Sequence, residues 1–123
     1  MLAARPIALL LWLFALPALA ADTFVAGVND LPLMPGLRAL PGDSTVFDAP
    51  AGRVVEAWAE GTVTRDTVQS FYRATLPQLG WSVTGPDLFR REGEALRLEF
   101  PPSGPRGPRA SGTLLIRFYL SPG

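Results

Sequence analysis

Between Thr113 and Leu120 the side chains alternate with the two-residue period that only an extended strand can use. Leu114, Ile116, Phe118 and Leu120 fall on one face; Leu115, Arg117 and Tyr119 fall on the other. Ala95 to Phe100 repeats the pattern, with Leu96, Leu98 and Phe100 on the inner face and Arg97 and Glu99 outward. Such runs need partner strands and a covering layer, because their backbone groups and one apolar face must both leave water.

A third strand is expected over Gly52–Gly61, with Val55, Ala57 and Ala59 opposite Val54, Glu56, Trp58 and Glu60. The small residues on its first face suit close approach by a helix. Thr64 is a good N-cap and Asp66 complements the helix dipole. Val68, Phe71, Tyr72, Thr75, Leu76 and Leu79 then form one helical stripe. Pro77 stops the regular helix near Leu76, and Gly80 permits the reversal into Trp81. Short strands are expected over 81–84 and 88–91, joined by the turn Gly85-Pro86-Asp87, with Glu92-Gly93-Glu94 turning into the strand at 95–100.

Asp22 to Pro50 is rich in turn formers and shows no sustained period, so residues 21–51 read as an irregular Pro/Gly-rich arm anchored by Leu33, Met34 and Leu37. Pro101 to Gly112 reads as a hairpin loop kept soluble by Arg106 and Arg109. The expected fold is α+β, in the order β-α-β-β-β: one amphipathic helix packed on a mostly antiparallel sheet of about four strands, over residues 52–123.

Residues 1–20 read as a signal peptide. Arg5 is a positive n-region, Ile7 to Leu16 an apolar core, Pro17 a break, and Ala18-Leu19-Ala20 a small-residue cleavage pattern ending at Ala20. The apolar run is about half of the roughly 20 residues that span a hydrocarbon core, so cleavage is favoured over retention as an anchor. The chain without it is expected in the periplasm or secreted, by a Sec-type route, with no stable membrane span. Once Arg5 is gone, ten Arg face eleven Asp plus Glu, so no net field steers the body towards nucleic acid.

The missing residue types narrow the chemistry. With no His, Cys or Lys there is no thiol nucleophile, imidazole base, Schiff-base amine or usual zinc ligand, and no disulfide. The expectation is a non-enzyme without cofactor or metal.

The runs Asp30-Leu31-Pro32-Leu33-Met34-Pro35-Gly36-Leu37, Val46 to Ala57, and Phe71-Tyr72-Arg73-Ala74-Thr75-Leu76-Pro77-Gln78-Leu79-Gly80-Trp81 resemble a family of small uncharacterised exported proteins and lipoproteins of proteobacteria. That family carries a Pro-rich lead and an FY-x3-(L/M)-P-x2-GW helix-to-strand motif. The resemblance implies an envelope location and an α+β fold, but no activity. The acylated Cys of the lipoprotein branch is missing here, so membrane attachment is not implied.

Four candidate sites follow. Phe71, Tyr72 and Trp81 could stack a ligand but suit core packing better. Glu56 and Glu60 flank Trp58, yet four strand residues separate them by about 13 Å, beyond the roughly 5–9.5 Å of glycosidase carboxylates. Arg106 and Arg109 could meet anionic lipid or an acidic partner. Val54, Trp58, Leu115 and Tyr119 would adjoin if their two strands are neighbours, forming either an apolar interaction patch or a surface covered by the arm. The function these features favour is an interaction or envelope-accessory module with an envelope protein or lipid as partner. The alternative is a carrier or binder of a lipid or other small apolar ligand.

Overall fold

The computed structural model describes residues 24–123; the segment expected to be a signal peptide and the expected cleavage position at Ala20 lie outside the described residues. The strands are β1 (Leu37–Ala39), β2 (Thr45–Ala49), β3 (Gly52–Gly61), β4 (Ser82–Gly85), β5 (Leu88–Arg91), β6 (Glu94–Glu99), β7 (Ser103–Gly104), β8 (Gly107–Pro108) and β9 (Leu114–Pro122). One α-helix, α1 (Arg65–Thr75), follows β3. Seven strands make one antiparallel sheet in the order β1-β3-β9-β6-β5-β4, with β2 also paired to β3; β7 and β8 form a separate ribbon.

The expected α+β fold, one helix on about four strands, is corrected by this arrangement. The described chain is mostly antiparallel sheet, with seven strands in the main layer and a single short α-helix. The additional strands come from the segment expected to be irregular. β2 pairs along β3 from Thr45↔Glu56 to Ala49↔Gly52, leaving a two-residue Pro50-Ala51 turn, and β1 pairs Leu37↔Gly61. Because β9 occupies the other side of β3 over residues 55–61, β1 and β2 share one edge. A short 3-10 turn at Pro41–Asp43 separates them. Strands of three and five residues at an edge have little buried face, so they leave no alternation to read.

The element boundaries expected elsewhere follow local chemistry. The Thr64 side chain accepts a bond from the Thr67 amide at 3.2 Å, capping α1. Pro77 converts the chain after Thr75 into a 3-10 turn, Leu76–Leu79, which ends at Gly80 in left-handed geometry (φ 91°).

The core lies on one side of the sheet. Val55, Ala57 and Ala59 of β3, Leu96 and Leu98 of β6, and Ile116, Phe118 and Leu120 of β9 face Val68, Tyr72 and Leu76. Segment 24–36 closes the layer with Val25, Val28, Leu31, Leu33 and Met34, all buried. The anchors Leu33, Met34 and Leu37 therefore sit where the sequence placed them. Tyr72 ties this segment down: its hydroxyl donates to the Pro32 carbonyl at 2.9 Å and accepts from the Met34 amide at 3.2 Å. Among the described residues, no helix is long and apolar enough to cross a membrane.

Candidate functional site

Each face of β3 was expected to carry a different role, and the structure separates them. Val54, Trp58 and Leu115 are buried yet stand outside the main core, on the sheet face away from α1. Trp58 is 6% and Leu115 3% exposed, and Tyr119 is half-buried. These four residues therefore do not form an open apolar patch. The expected loop lies over part of this face: Gly104 sits over Leu115 and Trp58 so closely that an added Cβ would lie 2.7 Å from Leu115 Cδ2. Across the ladder, Phe47 of β2 is the partner of Val54.

The two basic residues of that loop are not free. The Arg106 guanidinium meets Asp43 Oδ1 at 2.8 Å, and Arg109 lies 2.9 Å from Glu60 Oε2 and 3.8 Å from Asp43 Oδ2. Arg38 also pairs with Glu60. Three guanidiniums thus share two carboxylates, whose side chains are largely shielded from water.

Glu56 is neutralised as well. Arg117, centred on β9, bonds Glu56 at 3.1 Å and Glu99 at 2.7 Å and lies 4.7 Å over the Tyr119 ring. The Trp58 indole N–H donates to Glu56 Oε1 at 3.1 Å. Every carboxylate on this face of β3 is therefore committed to an arginine, a poor starting point for acid–base work.

Phe71, Tyr72 and Trp81 pack as expected of core aromatics. Phe71 meets Tyr72 edge-on at 5.0 Å, and Tyr72 meets Phe118 at 5.5 Å. Burial pushes the Tyr72 phenol up, against a smaller lowering by the Met34 amide. Trp81 is buried under the Arg91 guanidinium, 4.4 Å from its ring.

A polar groove of about 550 Å³ opens at the far side of the sheet, lined in part by Asp30, Ser82, Arg90, Arg91 and Glu94. Two of its carboxylates are paired: Arg91 bonds Asp30 at 2.5 Å and the Leu79 carbonyl at 3.1 Å, and Arg53 holds Glu94 at 2.9 and 3.2 Å. The Arg91 hydrogen bond holds the Asp30 carboxyl below the usual carboxylate range despite some desolvation. Among the described residues, no cluster of three or more Asp or Glu is arranged to hold a metal ion.

What remains unpartnered is an edge. β2 pairs with β3 alone, so its outer row of backbone groups has no strand beside it among the described residues. Val46 and Phe47, on opposite faces of that strand, are 55% and 56% exposed. The opposite edge, β4, is only four residues long and is interrupted by a register shift between Val83 and Gly85. A bulge of that kind blunts an edge against further pairing. β2 has no such irregularity. The adjacent pair Val46-Phe47 before a Pro50-Ala51 turn and the alternating strand Gly52–Gly61 is the hairpin signal that points to it.

The chain matches no family model, no curated protein and no solved structure.

Proposed function

We propose that this protein is an exported, non-enzymatic interaction module, and that its partner is a protein that adds an extended segment to the edge of β2. The observation that carries the reading is the open, regular five-residue edge with two large apolar side chains exposed on it. Added-strand recognition uses these two features: the unpaired backbone row supplies hydrogen bonds, and alternate side chains supply specificity. Soluble proteins usually shorten, charge or bend such an edge. Here only Asp48 carries charge within β2, and it sits at the Asp48↔Arg53 position beside a cation of the neighbouring strand.

Support for a non-enzymatic role comes from the absence of His, Cys and Lys and from the paired state of the outer carboxylates. A carrier of apolar ligands is less well supported, because Val68, Tyr72 and Leu76 fill the space between helix and sheet against Leu96 and Phe118. Export rests on the pattern of residues 1–20.

The test is a photo-crosslinking side chain placed at Phe47 in the producing cell, with Val83 on the blunted edge as control. A defined heterologous protein captured at Phe47 and not at Val83 is expected. Crosslinks only to a second copy of this chain, or equal capture at both edges, would overturn the reading.

A further inference from the structure

The ribbon formed by β7 and β8 belongs to neither the core nor the main sheet. No backbone–backbone hydrogen bond joins Pro101–Gly112 to the rest of the described chain, apart from the local turn in which the Thr113 amide meets the Ala110 carbonyl. Yet its Gly104 lies directly against Trp58 and Leu115, which are almost entirely kept from water. The segment's attachment is the packing of the Gly104 backbone on two apolar side chains and the ion pairs of Arg106 and Arg109 with Asp43 and Glu60.

We propose that Pro101–Gly112 is a latch that opens independently of the fold and uncovers the Trp58–Leu115 face of the sheet, with the Asp43–Glu60–Arg109 cluster as its catch. Two features make the two states discrete. The main sheet and core need nothing from the ribbon, since β3 and β9 pair directly beneath it through Trp58↔Arg117 and Glu60↔Leu115. The cluster is also unbalanced, with Arg38, Arg106 and Arg109 gathered on two carboxylates. Neutralising either carboxylate leaves an excess of like charge beside the ribbon, so attraction turns towards repulsion. Segments tied by few bonds open at lower free energy than the whole domain.

The catch is salt-sensitive. Screening shortens from about 10 Å at 0.1 M to about 3 Å at 1 M ionic strength. Asp43 is 8% exposed, so its pair with Arg109 is screened less than an open surface pair, whereas Arg106 is freely reached by ions.

A chain without cysteine permits a clean test by thiol labelling. A Leu115→Cys variant reports opening of the ribbon, and an Ala59→Cys variant, on the buried core face of β3, reports global unfolding. Labelling at position 115 is expected at least about tenfold faster than at position 59, as sub-global opening requires. Adding Asp43→Asn should speed labelling at 115 several-fold and leave the rate at 59 unchanged. Equal rates at the two positions, or equal acceleration of both by Asp43→Asn, would overturn the latch. Limited tryptic digestion of the unsubstituted protein gives an arm that needs no folded variant. Cleavage after Arg106 and Arg109 should precede cleavage after Arg117 and accelerate with sodium chloride. Simultaneous cleavage at all three, unaffected by salt, would equally overturn it.

Discussion

Replacing Tyr72 with Phe removes one oxygen and keeps the ring, so its effect isolates how segment 24–36 is fastened to the helix. The ring retains its edge contacts with Phe71 and Phe118 and no apolar cavity forms. Two bonds disappear. The Met34 amide belongs to a buried residue and loses its acceptor, while the half-buried Pro32 carbonyl loses a donor that water can partly replace. A buried donor left unsatisfied costs about 1–3 kcal/mol, and an ordinary hydrogen bond about 0.5–1.5 kcal/mol. The sum is about 1.5–4.5 kcal/mol, a large share of the roughly 5–15 kcal/mol by which a domain of this size is stable. Urea denaturation should therefore show a lower midpoint with an unchanged slope, and Tm should fall by at least about 6 °C. Tyr119→Phe is the control, because that half-buried ring faces Arg117 on the other side of the sheet. A Tyr72→Phe loss under about 0.5 kcal/mol would refute the claim that the hydroxyl staples the N-terminal segment to the core.

The same hydroxyl predicts an alkaline limb. Its folded pKa is raised by burial, so its contribution is intact below the unfolded tyrosine value near 10 and is lost as pH rises beyond it. Stability should fall by up to about 1.4 kcal/mol per pH unit there, and Tyr72→Phe should remove that slope. At the acid end, Asp30 is held low by Arg91; its contribution is present above about pH 3.9 and is lost as pH falls below that. Asp30 is more than half exposed, so Asp30→Asn should cost no more than about 1 kcal/mol in a urea titration at neutral pH. Thr64→Ala should cost about 1 kcal/mol by loss of the N-cap of α1, read from the same titration. Phe47→Asp should lower the unfolding free energy from the urea titration by no more than about 1 kcal/mol, since β-propensity spans only that range and more than half of the side chain is already in water, while abolishing capture of the partner at a crosslinker placed at Val46.

The parts of this fold that the sequence discloses are those whose residues choose a conformation by themselves. β3, α1 and β9 follow from alternation, from the Thr64 cap and from Pro77, each a local preference that packing reinforces. Tyr72 is legible as a core residue, but its partners 38 and 40 residues away are not, because the hydroxyl states only that some partner must exist. β1 and β2 are hidden for a different reason. Their pairing is decided by β3, and exposed edge residues carry no periodic constraint. The condition attached to the candidate patch is met, since Trp58 and Leu115 lie on the neighbouring strands β3 and β9 with adjacent registers, but the four residues are not an open surface. The ribbon whose Gly104 lies over Trp58 and Leu115 carries ion pairs between residues far apart in the chain: Arg106 reaches back 63 positions to Asp43. Nothing at either position announces the other.

A partner strand that extends the sheet at β2 would close that edge to solvent, which amide hydrogen exchange reads residue by residue. The protein captured at Phe47 is purified, and exchange across Thr45–Ala49 is measured with and without it. Slowing of the outward-facing amides of β2 by at least about tenfold is predicted, because new interstrand bonds close them to solvent. Unchanged exchange in β2, with protection appearing elsewhere on the surface, would contradict the account.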